Sequence, residues 1–276
     1  MFELTEADAL RILRALFERT ALPVYRGAFD RNRIPGIFDS KLGGLPYWDM
    51  TMPYPTGRRG QKLVLLAQID MSKVPSQGEL PKKGMLQFFI DGDAESYGCD
   101  FEEPKPGGSD DFRVVWHKTI DRSLTEEALC GLEIPTNHTG ADSPVQGEIA
   151  ISFDCPGTEP ISIGDVQLDG AIHRIAAELG IKLPFLFGVN DLLELLPEGT
   201  EERWASFSQG LKLLGYPYFT QFDPREEESR YNRLLLQIDS AIGVQWGDGG
   251  VANFFIQGEA LQNWDLSELF YYWHCG

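Results

Sequence analysis

The sequence predicts an α+β fold: two pseudo-symmetric copies of an antiparallel β-meander, with helices inserted between and before them. Three observations carry this. The first is repetition. Lys41-Leu42-Gly43-Gly44-Leu45-Pro46-Tyr47-Trp48 returns as Lys212-Leu213-Leu214-Gly215-Tyr216-Pro217-Tyr218-Phe219, and Leu65-Leu66-Ala67-Gln68-Ile69-Asp70 returns as Leu234-Leu235-Leu236-Gln237-Ile238-Asp239. The block from Gly84 to Asp93 matches that from Gly250 to Glu259, and Val115-Trp116-His117 matches Tyr272-Trp273-His274 more weakly. The second observation is order. The offset falls from 171 (Lys41 to Lys212) through 169 (Leu65 to Leu234) and 166 (Gly84 to Gly250) to 157 (Trp116 to Trp273), so only the loops shorten between copies. The third is that the repeated blocks have strand composition, whereas helical periodicity is concentrated before and between them.

Along the chain, Thr5 caps a helix to Arg19 whose Leu10, Ile12, Leu13, Leu16 and Phe17 form an apolar stripe. From there to about Trp48, glycine and proline density predicts irregular chain. The second block reads as a strand with Leu65, Ala67 and Ile69 on one face and Leu66, Gln68 and Asp70 on the other. A long hairpin loop leads to the third block, where Leu86, Phe88 and Ile90 oppose Met85, Gln87 and Phe89. A further strand is expected over 112–120, short helices over 124–132 and 189–196, a strand over 148–154, and a helix over 165–179 with Val166, Ile172, Ile175, Ala176 and Leu179 on one face. The chain of 276 residues, 42% hydrophobic, is long enough to bury a sizeable core. We expect a single domain, two repeats over roughly 36–120 and 207–276 with a mixed segment over 121–206 between them.

A net charge of −18 argues against nucleic acid and anionic membrane surfaces, both of which draw affinity from Lys and Arg. The same charge suits either a solubilising surface or a docking face for a basic protein partner. The first residues lack a basic and then apolar leader, and the longest apolar runs are too short to span a bilayer, so a cytoplasmic location is expected. Cys99, Cys130, Cys155 and Cys275 are widely spaced, as free thiols in a reducing compartment would be. Asn137-His138-Thr139 fits a glycosylation sequon, which carries no weight in a chain without an export signal.

The phrases Ser40-Lys41-Leu42-Gly43-Gly44-Leu45-Pro46, Leu66-Ala67-Gln68-Ile69, Gly84-Met85-Leu86-Gln87-Phe88-Phe89 and Leu213-Leu214-Gly215-Tyr216-Pro217, with the segment from Trp246 to Phe255, resemble the YwqG-like family of bacterial proteins. The match runs from about Phe38 to Cys275. The resemblance implies an intracellular bacterial α+β protein with duplicated halves, and it brings no catalytic residues with it.

What both copies keep is expected to serve the fold, and what one copy alone has is the better candidate for function. The kept polar positions are Gln68 with Gln237, Gln87 with Asn253, Asp70 with Asp239, and Asp93 with Glu259. Carboxamides on apolar strands are costly to bury unless bonded, so these four either bond to backbone or line a ligand pocket on the pseudo-twofold axis. The clearest difference is Trp246-Gly247-Asp248-Gly249 in place of Leu80-Pro81-Lys82-Lys83. An exposed Trp246 beside Asp248 could stack on and hydrogen-bond a sugar or small polar ligand, while a buried Trp246 would instead anchor a turn. His117 and His274 could approach each other if both face the axis. Asp91, Asp93 and Glu95, with Glu102 behind, loosely follow calcium-loop spacing, but Ser96 stands where glycine is usual. The common signatures of hydrolases, nucleotide-binding proteins and zinc enzymes do not occur. The reading that follows is a non-enzymatic binding or protein-interaction protein with no cofactor and no metal. The alternatives are a hydrolase or isomerase for a small polar or sugar-like substrate, using carboxylates such as Asp248 and Asp93, and a purely structural scaffold.

Overall fold

The computed structural model describes residues 4–75, 78–92, 96–101, 111–136 and 142–276. Thr5 accepts from the Asp8 amide and the Asp8 carboxylate accepts from the Thr5 amide, which starts α1 (Glu6–Arg19) with a reciprocal cap. Among the described residues ten strands follow: β1 (Leu22–Asp30), β2 (Lys41–Gly43), β3 (Val64–Asp70), β4 (Met85–Ile90), β5 (Phe112–His117), β6 (Glu148–Glu159), β7 (Lys212–Leu214), β8 (Arg233–Asp239), β9 (Val251–Ile256) and β10 (Phe270–His274). The remaining helices are α2 (Glu126–Leu129), α3 (Leu168–Glu178), α4 (Val189–Glu194), α5 (Thr200–Ser206) and α6 (Gly258–Asn263). All ten strands join one antiparallel sheet in the order β10-β9-β8-β7-β1-β6-β2-β3-β4-β5. The architecture is α+β.

The order reads alike from either end, with β1 and β6 as the central pair, β2–β5 on one side and β7–β10 on the other. Both flanks carry a bulge at the matching place, between Leu65 and Ala67 and between Leu234 and Leu236. The sheet curls strongly enough that distant strands meet across the core. Phe88 of β4 lies 4.8 Å from Phe254 of β9, and Phe112 of β5 lies 5.4 Å from Tyr271 of β10, between ring centroids. A second apolar cluster joins α1, α3, α4 and α5 through Ile12, Leu16, Ile172, Ile175, Leu192 and Trp204. A third joins Ile37, Trp48, Leu65 and Phe89 to Leu129 and Ile134 beside α2.

The structure departs from the sequence expectations in four places. The stretch before Trp48 contains β1 and β2. Pro23 and Gly27 disguise β1, and Gly27 is needed because a Cβ there would lie 2.5 Å from Leu211 Cγ, where the Gly27 amide also donates to the Leu211 carbonyl at 2.7 Å. The bulge also breaks the simple alternation in β3. Leu65 packs with Phe89 and Trp48 in the third cluster, whereas Ala67 and Ile69 belong to the main core. β6 continues to Glu159, beyond the expected 148–154 strand, because its far half pairs with the start of β1. α5 and α6 had no counterpart in the expected elements.

Candidate functional site

The four carboxamides form two matching chains of hydrogen bonds. All four side chains are fully buried. In the first half, Gln68 Oε1 accepts from the Tyr47 amide and from Gln87 Nε2, both at 2.8 Å, and Gln68 Nε2 donates to the carbonyls of Ile37 and Asp39, both at 2.9 Å. Gln87 Oε1 then lies 2.9 Å from His117 Nε2, which places the proton on that ring nitrogen. In the second half, Gln237 Oε1 accepts from the Tyr218 amide at 2.7 Å, and its Nε2 donates to Ser208 and Gly210 carbonyls at 2.8 and 3.0 Å. Asn253 Nδ2 donates to the Tyr218 carbonyl at 3.0 Å, but its shorter side chain stops there. Asn253 Oδ1 and His274 Nε2 are both buried without a partner among the described residues. These bonds pin the segment that enters each meander onto the sheet behind it.

That one-methylene difference yields a matched prediction. Asn253→Gln should restore the bond to His274 and raise stability by about 1 kcal/mol, while Gln87→Asn should cost about 1–3 kcal/mol by stranding His117. Urea denaturation of both variants measures this, and equal signs in the two would refute it.

The two histidines lie on β5 and β10, at opposite ends of the strand order, and are not brought together: His117 packs edge-on against Tyr47 and Trp48, His274 stacks on Phe219 and meets Thr220 Oγ1 at 2.8 Å. Burial pushes His274 down to about 4, against the pull of Asp223. An unfolded histidine takes up its proton near pH 6.5, so between there and about pH 4 the unfolded chain binds more protons, and stability from this group falls as pH is lowered through the window. Asp239 acts oppositely, because burial raises it to about 6 and the folded state resists its ionisation as pH rises. The denaturant midpoint at pH 7 minus that at pH 4.5 should therefore shift in the negative direction in His274→Asn relative to the parent, because the opposite dependence of Asp239 is then unopposed. An unchanged separation would exclude His274 as the source.

The exposed tryptophan envisaged on the Trp246 turn is not found. Trp246 is fully buried, edge-on to Tyr97 with centroids 5.8 Å apart and tilted against Trp273 at 5.6 Å. No face of it is open for a ligand to stack on. Asp248 is exposed beside it. Asp93, with the Asp93–Glu259 pairing and the Asp91, Asp93, Glu95 and Glu102 spacing, falls partly or wholly outside the described residues, as does the Asn137 sequon. Among the described residues no cluster of three or more His, Cys, Asp or Glu side chains could hold a metal ion.

The site that sequence reasoning missed lies on β2 and β7. Lys41 and Lys212 occupy the same place in the two repeated blocks, and both are buried, 1% and 0% exposed. Lys212 is sealed. Its Nζ meets Glu159 Oε1 at 2.6 Å and donates to the Tyr216 carbonyl, while Arg26 holds the other carboxylate oxygen at 2.7 Å. The Tyr216 amide also donates to Glu159 Oε1 at 2.6 Å, and its hydroxyl donates to the Thr20 carbonyl at 2.7 Å. Burial pulls Lys212 down to about 8.

Lys41 is built differently. Its partner is Glu148 at 3.5 Å, and the position of Tyr216 is taken by Leu45, which has no hydroxyl. Lys41 consequently lines a cavity of about 570 Å³ whose walls include Ile37, Leu45, Leu129 and Ile134 and whose polar groups include Glu126, Glu133, Glu148 and Cys130. Burial holds the Lys41 ammonium below the ordinary lysine range, against the attraction of Glu148, Glu126 and Asp39. Gly44, in the cavity lining, and Gly43 before it have left-handed backbone, and a Cβ on Gly44 would strike the Glu148 carboxylate at 2.3 Å. A signal for this site was present in the sequence: a cation retained in both copies of an otherwise apolar three-residue strand.

A family model described as a domain of unknown function, DUF1963, matches residues 40–275. The chain belongs to the DUF1963 family. No curated protein matches the chain. The DUF1963 match begins at Ser40, one residue before Lys41, and takes in both lysine strands and all of the two flanking meanders. No helix of the described DUF1963 chain is long and apolar enough to cross a membrane.

Proposed function

We propose that this chain is a non-enzymatic binding protein whose ligand enters the cavity beside Lys41. One observation carries the reading: of two equivalent buried lysines, the first lines a cavity of about 570 Å³ and the second is fully enclosed, held by Glu159 and the Tyr216 carbonyl. That volume, apolar walls and a few converging polar groups are the usual attributes of a small-molecule site. Glu126, Glu133 and Glu148 outnumber Lys41 in the lining, so a neutral or cationic head on an apolar body is favoured over an anion.

Leu45→Tyr, which copies the second half into the first, tests this. Short alkyl alcohols and alkylamines near 100 times their dissociation constant should stabilise the parent by roughly 2.7 kcal/mol in a thermal-shift assay. The shift should vanish in Leu45→Tyr. A shift of equal size in that variant places the ligand elsewhere, and no shift with either class refutes the cavity as a site.

A basic protein partner is a second reading, supported by the net charge of −18 and by exposed Glu126, Glu127 and Glu133 near Ile34, which is 87% exposed at the cavity mouth. It calls for salt-sensitive binding that weakens in the Glu126→Gln, Glu133→Gln double variant. The matching bulges, polar chains and lysines support a single domain that arose by internal duplication, its halves at roughly 36–120 and 207–276 about the segment 121–206. A cytoplasmic location fits the proposed binding role and its free thiols.

A further inference from the structure

We propose that Lys41 is a nucleophilic amine that captures an aldehyde or ketone in the cavity as an imine. The inference rests on the reading of the cavity as a ligand site and adds the chemistry of what is held there. Three features of the geometry support it. Lys41 is almost wholly enclosed, yet it lines a space large enough for a ligand. Its ion pair with Glu148 is loose, at 3.5 Å, whereas Lys212 is held at 2.6 Å by Glu159 and a second time by a backbone carbonyl. Burial also favours the uncharged amine, which is the form that attacks.

The step balances without any redox partner. Glu148 takes a proton from the Lys41 ammonium, and the freed lone pair adds to the carbonyl carbon while the carbonyl π electrons move to oxygen. The new oxyanion takes a proton from the Glu148 carboxyl, giving a carbinolamine. Loss of the second nitrogen proton to Glu148, and its return to the departing hydroxyl, expels one water and leaves the C=N bond. One carbonyl compound and one ammonium become one protonated imine and one water, with Glu148 returned to its carboxylate, and the reverse sequence releases the ligand. Glu148 is the acid and base throughout, and the apolar walls limit bulk water, which would otherwise hydrolyse the imine. Glu126 and Glu133 disfavour keto acids, so the ligand class is a neutral or cationic aldehyde or ketone with an apolar chain.

Hexanal is a suitable probe. The 276-residue chain is incubated with hexanal and sodium cyanoborohydride near neutral pH, and lysine-containing peptides are quantified by mass spectrometry. Lys41 should acquire a hexyl group roughly tenfold faster than exposed Lys118, while Lys212, buried but sealed, should remain unmodified. Glu148→Gln should slow trapping at Lys41 by at least about tenfold while trapping at Lys118 is unchanged. That pairing separates loss of the proton shuttle from loss of the fold. Hexan-1-ol, which can bind but cannot form an imine, is run in parallel by thermal shift. Stabilisation by hexan-1-ol with Lys41 no faster than Lys118 overturns the covalent step and leaves the binding site standing. Neither stabilisation nor selective trapping overturns both.

Discussion

Trp246→Ala is expected to destabilise the protein by about 3–5 kcal/mol, as truncation of a fully buried tryptophan does. The indole fills the space between Tyr97, which lies in the first half of the chain, and Trp273 of β10 in the second. Trp273 in turn donates from Nε1 to the Ser96 carbonyl at 2.7 Å, so the same corner ties the far edge of the sheet to a loop of the opposite meander. Removing the ring opens a cavity and slackens that tie together. Trp246→Phe should lose far less, because the Trp246 N–H has no acceptor among the described residues to forfeit. Guanidinium unfolding of the two variants separates these effects. Near-equal losses would mean that the indole nitrogen, and not the ring volume, matters.

The second large effect is expected at the sealed lysine. Lys212→Ala leaves Glu159, 1% exposed, without its closest cation, and breaking such a pair costs about 3–5 kcal/mol. The lower end of that range applies here, since Arg26 still holds the other oxygen at 2.7 Å. Lys41→Ala should cost clearly less, because Glu148 retains 28% side-chain exposure and can be rehydrated through the cavity. The comparison is a stability measurement of the same asymmetry that the proposed function uses. Equal losses at the two lysines would mean that Lys41 is as structural as Lys212.

Much of the framework was legible because local pattern and tertiary environment agree. The β3 and β4 blocks, α1 with its Thr5 cap, and α3 all stand where periodicity places them, and Gln68, Gln87, Gln237 and Asn253 are bonded to backbone as burial demands. β1 was not legible. Its partners are set by long-range pairing, and Pro23 and Gly27 signal a turn to any local reading although Gly27 serves a close approach to Leu211. The bulge at Leu65–Ala67 shifts side chains between faces without any residue that announces it. The candidate site was missed for another reason. Lys41 and Lys212 are alike in sequence, and what distinguishes them is Leu45 against Tyr216 and the approach of Glu148 and Glu159 from different points along β6. Trp246 stood out as an unpaired difference between copies, but burial is a property of what surrounds a residue and not of the residue itself.

The placement of β1 also bears on how the chain reaches this structure. Leu22 pairs with Glu159 and Val24 with Leu214, whereas β3, β4 and β5 pair with near neighbours in sequence, as do β8, β9 and β10. Closing long loops is entropically slow, so each meander is expected to assemble early and β1 to dock last, when the strands on both of its sides exist. A nascent chain therefore carries an unpaired N-terminal strand until its C-terminal half leaves the ribosome, and for that interval the future centre of the sheet is its most adhesive edge.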